Sequence, residues 1–466
     1  MKNWLEEALG RKDELMDDLK NLISIPSVLN EDEATEEAPF GPMPLKALNW
    51  VLKEGEQYGF TTKNIDNYAG HIEMGEGEEL IGILGHVDVV PAGSGWTYEP
   101  YEGTVVEDKL FGRGAIDDKG PTMAAWLAMK MVKDAGIELD KRVRLIIGSD
   151  EESGFRCVKR YFEKEEMPTM GFAPDADFPI INAEKGIANL LFSVDPQEGE
   201  QETLLSFKSG HRSNMVPDYA EAKVKLSAED LLENFNEFRE ENDVTGTIEA
   251  DEEYVTVTLN GKSAHAMEPD LGVNAGVLLA NFLVDQVQGG AGGTFLKFVV
   301  DAFEGDSRGH ALKLEFSDEM SGDTTLNAGV LSFDHEKGGA VTVSMRYSVS
   351  YQFDEKINEC LEVLKDSPVE MTVKSNSTPH FVDENDELIQ TLKRVYERQT
   401  GEEATLLSIG GGTYARVMKK GVAFGMLFPG REDVAHQADE YVWVNDLIKA
   451  AAIYADAISE LAGKKN

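Results

Sequence analysis

Cysteine is scarce in this sequence: only Cys157 and Cys360 occur among 466 residues. Two cysteines are too few for the disulfide framework that supports small secreted domains. Low cysteine usage of this kind is typical of proteins that work in a reducing compartment. We therefore expect a cytoplasmic protein.

Long apolar segments are lacking as well. No run approaches the ~20 apolar residues that a helix needs to cross a bilayer. Acidic residues interrupt the N-terminal segment MKNWLEEALGRKDELMDDLKNLI, and Trp4, Leu15 and Leu19 lie on one helical stripe. The segment therefore favours an amphipathic helix over a secretion signal, and we expect a soluble protein.

Basic residues are outnumbered, since 44 lysines and arginines stand against 86 aspartates and glutamates, which gives a formal net charge of −42. A surface this negative repels phosphate backbones and anionic headgroups, so we expect no nucleic-acid partner and no membrane partner. Apolar residues make up 41% of the chain. They suffice for the cores of the two or three domains that the length favours.

Alternating strand and helix patterns mark the first part of the chain. An apolar run at 80–84 has the length of a buried strand, a helix follows from Pro121, and Arg142–Gly148 is a further predicted strand. The same alternation returns near residue 384, and Asn445 is the predicted cap of a final helix. Strands that alternate with helices indicate an α/β sheet flanked by helices.

From about residue 186 the pattern changes to short alternating segments joined by hairpin-like turns. Phe295–Val300 and Ala311–Phe316 are among the segments that we predict as strands. Helices are predicted near 228–240 and 273–288. This texture indicates an α+β insert with an antiparallel sheet, which makes the α/β domain discontinuous.

His86 and Asp88 directly follow the apolar run at 80–84. In a strand their i, i+2 spacing puts both side chains on one face, so Asp88 can accept a hydrogen bond from one imidazole nitrogen of His86. The other nitrogen is then left for a metal, as in carboxylate–histidine–metal arrangements. For this pair alone, a histidine satisfied within the core is the alternative.

Further carboxylates lie near the ends of other predicted strands, where α/β sheets bind their ligands. Asp117 and Asp118 precede the helix from Pro121. An aspartate in such a turn can offer both oxygens to one point in space, or it can act as an N-cap. In the pair Glu151-Glu152, one member can bind a metal while its neighbour takes a proton from water. Solvated surface acids are the alternative.

The order of the motifs makes the signal specific. His-x-Asp, Gly-x-Gly-x-x-Asp-Asp-Lys, Glu-Glu and Pro-Asp-x-Asp, which contains Asp175, are followed by His436 near a strand end. Two divalent ions bridged by one carboxylate and a water can generate hydroxide and stabilise a tetrahedral intermediate. We therefore expect a site for two divalent metals and a hydrolytic reaction.

The motifs GHVDVVPAG, FGRGAIDDKGP, SDEESG, APDADFPIINAEKG, NGKSAHAMEP and HQADE resemble those of PepV-type dipeptidases. These enzymes belong to the dizinc metallopeptidases that include aminoacylase-1, carboxypeptidase G2, succinyl-diaminopimelate desuccinylase and carnosinase. The resemblance extends over essentially the whole chain. It implies a catalytic metal-binding domain of mixed sheet flanked by helices, 1–185 and 384–466, and an inserted lid domain, 186–383.

Carried over motif by motif, the resemblance implies roles for individual residues of the catalytic domain. The two metal sites share one bridging carboxylate, a neighbouring glutamate is the general base, and an aspartate orients one histidine. The residues implied are His86 and Asp175 for one metal, Glu152 and His436 for the other, Asp117 as the bridge, Glu151 as the base, and Asp88 as the residue that orients His86.

Three lid residues match positions that hold substrate in PepV-like enzymes. The resemblance implies that His265 stabilises the tetrahedral oxyanion, while Arg346 and Asn214 bind the carboxylate of a dipeptide. An imidazole is a good oxyanion donor, and a guanidinium group matches a carboxylate with two hydrogen bonds. The alternatives are an ion pair for Arg346 and an ordinary loop role for His265. The glycines at 410–412 offer backbone N–H groups for a carboxylate or form a plain turn.

The function implied is a metal-dependent dipeptidase that hydrolyses short peptides with a free amino terminus. A deacylase of N-acyl amino acids or a desuccinylase is the alternative, because it uses the same dimetal chemistry. β-Alanyl dipeptides stay open as substrates, and zinc is the leading metal, with manganese or cobalt as alternatives. Because the resemblance implies an enlarged lid that supplies His265 from the same chain, we expect a monomer. A non-catalytic binding protein is disfavoured, since no ligand candidate and no base candidate is missing.

Overall fold

The chain divides into two compact units in the computed structural model, which describes residues 2–197 and 203–464. Residues 1, 198–202 and 465–466 fall within the predicted domains and lie outside the described part of the chain. Unit 1 comprises Met1–Asn182, Val382–Leu407 and Gly412–Asn466, and unit 2 comprises Ala183–Phe381 and Ser408–Gly411.

Side chains cap several of the helices. Ser227, Asn274 and Asp386 each accept a hydrogen bond from a backbone N–H of the following first turn. The α-helices of the described residues are α1 (Trp4–Gly10), α2 (Lys12–Ile23), α3 (Pro42–Gln57), α4 (Lys119–Asp134), α5 (Arg156–Phe162), α6 (Ala228–Glu241), α7 (Ala275–Val284), α8 (Gly290–Phe303), α9 (Phe353–Leu364), α10 (Glu387–Thr400) and α11 (Val444–Ala462); short 3-10 helices lie at Glu31–Glu33, Pro269–Leu271 and Tyr414–Val417.

The strands form a large sheet in each unit together with smaller ribbons. In chain order they are β1 (Thr61–Ile65), β2 (Ala69–Met74), β3 (Leu80–His86), β4 (Thr104–Val106), β5 (Lys109–Phe111), β6 (Arg142–Gly148), β7 (Met170–Ala173), β8 (Ala176–Asp177), β9 (Ile180–Glu184), β10 (Gly186–Val194), β11 (Leu204–Ser209), β12 (Tyr219–Val224), β13 (Thr245–Ala250), β14 (Val255–Asn260), β15 (Ser317–Asp318), β16 (Gly322–Asp323), β17 (Thr325–Asp334), β18 (Gly338–Tyr347), β19 (Val369–Ser377), β20 (His380–Phe381), β21 (Leu406–Ile409), β22 (Gly421–Ala423), β23 (Met426–Leu427) and β24 (Tyr441–Trp443).

Unit 1 is built on a mixed sheet in which the strand order runs β1-β2-β6-β3-β7-β22-β9. β3 pairs in parallel with β6 and β7, whereas β2 is antiparallel to β1 and β6. Every residue of β3 is buried, as expected of a parallel strand covered on both faces, and α4 and α11 pack against it. Because β3, β6 and β7 run in parallel, their carboxyl ends meet at one edge of the sheet.

Unit 2 contains an antiparallel sheet of eight strands in the order β13-β14-β12-β11-β17-β18-β10-β19. α7 packs on β12 and β14, and α8 packs on β10 and β18, so both helices contribute to a core that includes Phe207 and Val343. The predicted fold class is confirmed: a mixed sheet flanked by helices is combined with an α+β part that has an antiparallel sheet.

Two predicted strands of the insert are wrong. Phe295–Val300 lies inside α8, and Ala311–Phe316 forms turns and irregular structure. In α8 the buried positions Phe295, Phe298, Val299 and Ala302 recur with the spacing of a helix, while the valines favour a strand only locally. Asn445 is not the cap of the last helix either, because α11 begins at Val444 and Asn445 lies in its first turn.

Both cysteines are buried and unpaired. Among the described residues, no helix combines the length and the apolar composition that a bilayer crossing demands.

Candidate metal centre

His86 is the last residue of β3 and is completely buried. Its Nδ1 lies 3.0 Å from the backbone carbonyl oxygen of Asp88. Because a carbonyl oxygen only accepts, Nδ1 carries a proton, and in the neutral imidazole Nε2 keeps a lone pair. Nε2 lies 3.1 Å from Oδ1 of Asp117 and 3.5 Å from Oδ2 of Asp175. The fold thus directs the lone pair of His86 towards two carboxylates.

The Asp88 carboxylate connects the end of β3 to the turn that follows β6. Its Oδ1 accepts a hydrogen bond from the Glu151 N–H and its Oδ2 from the Glu152 N–H, each at 3.1 Å. Oδ1 also lies 3.5 Å from Nδ1 of His86, farther than the carbonyl oxygen of the same residue. Asp88 therefore contacts His86 mainly through its backbone and positions both glutamates through its side chain.

Asp117 and Asp118 form the turn before α4, and the peptide bond between them is cis. The buried Asp118 side chain accepts hydrogen bonds from the His86 N–H at 3.0 Å and from the Thr122 hydroxyl group at 2.9 Å. Asp118 occupies the N-cap position of α4, but its side chain caps no backbone N–H of the helix. It links the turn to the end of β3 instead.

Asp117 lies between two histidines. Its Oδ1 is 3.1 Å from Nε2 of His86, and its Oδ2 is 2.9 Å from Nε2 of His436. One carboxylate therefore presents each of its oxygens to a different imidazole. A ligand shared by two neighbouring metal ions needs this arrangement.

The remaining carboxylates lie around the same point. Oε1 of Glu152 is 3.0 Å from Nε2 of His436. Donor atoms of His86, Glu151 and Asp175 lie within 4.8 Å of one another, and the same holds for His86, Asp117 and Glu152. Glu151 is therefore close enough to serve as a ligand as well as a base. The structure brings together all the site residues that the sequence predicts in unit 1: His86, Asp88, Asp117, Glu151, Glu152, Asp175 and His436.

The model of Peptidase family M20/M25/M40 matches residues 82–460 of the chain, a stretch that contains every one of these residues. The protein belongs to this peptidase family. It is 48% identical to "Putative dipeptidase YtjP" of Bacillus subtilis (strain 168) over 464 residues, which cover 99% of this chain and 100% of the relative. A Staphylococcus epidermidis protein with the same dipeptidase designation is 41% identical over 466 residues, covering 98% of this chain and 99% of the relative.

Solved structures of low sequence identity share the fold. Human carnosine dipeptidase 1 has a TM-score of 0.58 at 15% identity and covers 98% of both chains. Aminopeptidase PepT from Bacillus cereus ATCC 10987 has a TM-score of 0.55 at 15% identity, covering 97% of this chain and 98% of the other. The resemblance to the dimetal peptidases is confirmed, and the protein is an enzyme of the hydrolase class.

The candidate metal site is strongly negative because it contains several neighbouring carboxylates. Hydrogen bonds to Asp117 and Glu152 raise the pKa of His436 to about 11. Burial, together with the charge of Asp117, raises the pKa of Glu152 to about 7. Burial also raises the pKa of Glu151 well above its usual range, against the opposing charge of His86, and the neighbouring carboxylates add to the rise. A site that holds a proton this firmly on an imidazole stabilises cations.

The donor set fits divalent metal ions. A lone pair on Nε2 of His86 faces the oxygens of Asp117 and Asp175, and such an arrangement of Lewis bases is stable only around a cation or a proton. Imidazole and carboxylate ligands suit zinc, manganese and cobalt. The family and this geometry together indicate a dimetal peptidase.

Sequence reasoning missed Asp150, which precedes the glutamate pair. Its buried carboxylate accepts hydrogen bonds from the Ser153 hydroxyl group, from the Arg156 backbone N–H and from the Arg156 guanidinium group. These bonds close the turn that carries Glu151 and Glu152. The run of three acids in SDEESG could have indicated this residue, because roles are predicted for the two glutamates only.

The predicted substrate-binding residues belong to unit 2. Nδ1 of His265 accepts a hydrogen bond from the Met267 N–H at 3.2 Å, which leaves Nε2 as the proton-bearing donor. The Asn214 carbonyl oxygen accepts from the Ala266 N–H at 2.9 Å, so Asn214 and His265 lie on neighbouring segments. Arg346 is buried in β18, and its Nη1 donates to the Gly410 carbonyl oxygen at 3.2 Å.

Proposed function

We propose that the protein is a metal-dependent dipeptidase that hydrolyses the peptide bond of short peptides with a free amino terminus. The observation that carries the proposal is the Asp117 carboxylate, with one oxygen 3.1 Å from His86 and the other 2.9 Å from His436. The dipeptidase designation of a relative that is 48% identical over 99% of this chain supports the choice of substrate.

Five residues would hold the metals. His86 and Asp175 would bind one ion, Glu152 and His436 the other, and Asp117 both. When bound, two divalent ions lower the pKa of a water molecule and polarise the substrate carbonyl group. Zinc is our leading candidate, with manganese and cobalt as alternatives.

Glu151 acts as the general base in this proposal. Its carboxylate takes the proton of the attacking water and later gives it to the leaving amine. Donor atoms of Glu151, His86 and Asp175 lie within 4.8 Å of one another, so this carboxylate reaches the proposed metal site. The hydrogen bonds from the Glu151 and Glu152 N–H groups to Asp88 fix the backbone positions of the two glutamates.

In this proposal a lid domain of residues 186–383, most of which belongs to unit 2, supplies the substrate contacts, while 1–185 and 384–466 form the catalytic domain. His265 presents Nε2–H to the oxyanion, because Nδ1 is occupied by the Met267 N–H. Arg346 and Asn214 bind the carboxylate of the dipeptide. A substrate that is bound at both its amino end and its carboxylate leaves no room for a third or fourth residue.

A substrate panel tests the proposal. A dipeptide, its N-acetylated form, a β-alanyl dipeptide and a tetrapeptide are compared by kcat/KM. We expect the free dipeptide to be hydrolysed fastest and the tetrapeptide slowest. Faster hydrolysis of the acetylated compound would favour a deacylase with the same dimetal chemistry.

We further propose that the protein is a cytoplasmic monomer. We propose no nucleic-acid or membrane partner, in line with the net charge of −42.

A further inference from the structure

Glu440 is a fully buried carboxylate four residues after His436. Its Oε1 accepts hydrogen bonds from two backbone N–H groups, that of Ile116 at 3.0 Å and that of Asp117 at 3.3 Å. Its carbonyl oxygen accepts from the Gly112 N–H at 2.9 Å. The residue that ends the His436 segment therefore holds the backbone of the proposed bridging ligand.

The second carboxylate oxygen of Glu440 forms a buried ion pair with Arg113. The same guanidinium group lies 3.4 Å from the Pro91 carbonyl oxygen and 3.5 Å from that of Ala92, and 5.3 Å from the ring centre of Trp96. Three segments that carry site residues, at 86–96, 112–117 and 436–440, thus meet at one ion pair.

The segment that carries His436 depends on such anchors. His436 and Asp439 both have left-handed backbone conformations, with φ of 63° and 57°, which are uncommon for residues other than glycine. Asp439 is held by the Thr97 N–H at 2.7 Å, and Glu440 by the groups described above. Residues in such conformations persist only where surrounding contacts determine them. Without the anchors, the His436 side chain would lose its fixed distance to Asp117.

We propose that Glu440, fixed by Arg113, is a positioning residue that sets the distance between His436 and Asp117 and so determines how tightly the shared metal site binds its ions. It touches neither substrate nor metal. The inference rests on the proposed dimetal function. Partners of this kind typically change metal affinity by about 10- to 100-fold when they are replaced.

Titration of the metal-free full-length protein with Co²⁺, followed by visible absorption, tests this role without an activity assay. Glu440→Gln keeps the shape of the side chain but removes the charge opposite Arg113. We expect Co²⁺ to bind about 10- to 100-fold more weakly, whereas turnover of a dipeptide recovers towards the parent value at saturating Co²⁺. A purely structural residue would lower the yield of folded protein without this recovery.

Asp456→Asn is the matched control. Asp456 is also buried and forms an ion pair with Arg398, at 2.9 Å between carboxylate and guanidinium, but contacts none of the proposed ligands. We expect this variant to lose stability and to bind Co²⁺ like the parent. Equal weakening of Co²⁺ binding in both variants would overturn the proposal, because general loosening would then explain it.

Unchanged Co²⁺ binding in a folded Glu440→Gln variant would also overturn the proposal. If that variant does not fold, Arg113→Lys decides, since lysine keeps the positive charge but gives up the guanidinium contacts to Pro91 and Ala92. Weaker binding by Arg113→Lys supports the role of the pair, and unchanged binding refutes it. A parent protein that binds no Co²⁺ would refute the dimetal function itself, which is a separate outcome.

Discussion

Both carboxylate oxygens of Asp150 accept hydrogen bonds from the guanidinium group of Arg156, each at 2.8 Å. Asp150 directly precedes Glu151 and is buried, whereas the Arg156 side chain is 44% exposed. A surface arginine therefore reaches inward to close the turn that presents the proposed base and a proposed metal ligand.

We predict that Asp150→Asn weakens metal binding by about tenfold, because an amide cannot accept both guanidinium hydrogen bonds and the turn loosens. Metal titration of the purified variant measures this. Asp66→Asn is the control. Asp66 forms an exposed ion pair, at 2.7 Å, with Arg160, which lies in α5 like Arg156. Equal metal affinity in Asp150→Asn and the parent would show that the turn does not need the pair.

Glu151→Gln should keep both metals and lose at least about 10²- to 10⁴-fold in turnover, because a carboxamide cannot accept the proton of water. Metal analysis and dipeptide hydrolysis are measured on the same preparation. A variant that retains its metals and cleaves dipeptides within about tenfold of the parent would remove Glu151 from the role of base.

The motifs of unit 1 could be read from the sequence because strand ends, turns and residue types are local features. Such patterns predict His86, Asp117 and His436 as site residues, and the fold brings them together. The carbonyl contact of Asp88 and the anchoring by Glu440 could not be predicted. They depend on backbone geometry and on contacts between residues far apart in the chain.

In unit 2 the prediction from sequence is wrong where the local strand preference of single residues opposes the helix that the segment forms. Val299 and Val300 favour a strand, but the buried positions around them follow a helical spacing that only the whole segment reveals. The antiparallel character of the sheet was still predictable, because hairpin turns and alternation recur many times along the insert.

His71 predicts a pH dependence of stability. The Tyr161 hydroxyl group donates to its Nδ1 at 2.7 Å and accepts from Nη1 of Arg144 at 3.1 Å. Burial and the charge of Arg144 lower the pKa of His71 to about 3. The unfolded chain takes up this proton below about pH 6.5, whereas the folded protein does so only near the lowered pKa.

The free energy of unfolding should therefore fall as the pH drops below about 6.5, by at most about 1.4 kcal/mol per pH unit from this group. Urea denaturation at pH 7 and at pH 5 measures it in the parent and in His71→Gln, which keeps an acceptor for Tyr161. We expect the parent to lose more stability between the two pH values. Equal losses would mean that His71 does not titrate as described.

The proposed monomer predicts that His265 acts within its own chain. His265→Ala should lower turnover strongly and leave the metal content unchanged, since the oxyanion loses a hydrogen-bond donor. A mixture of His265→Ala and Glu151→Gln should stay inactive. Recovery of activity on mixing would show that one subunit supplies the histidine to another, and the monomer would be wrong.

The metal dependence of dipeptide hydrolysis tests the central claim most directly. Prolonged incubation with EDTA should abolish activity in the parent, and a divalent metal should restore it up to a stoichiometry of two ions per chain. Asp117→Ala should not be restored, because both sites lose the shared ligand. Full activity of the parent in excess chelator would contradict the dimetal account.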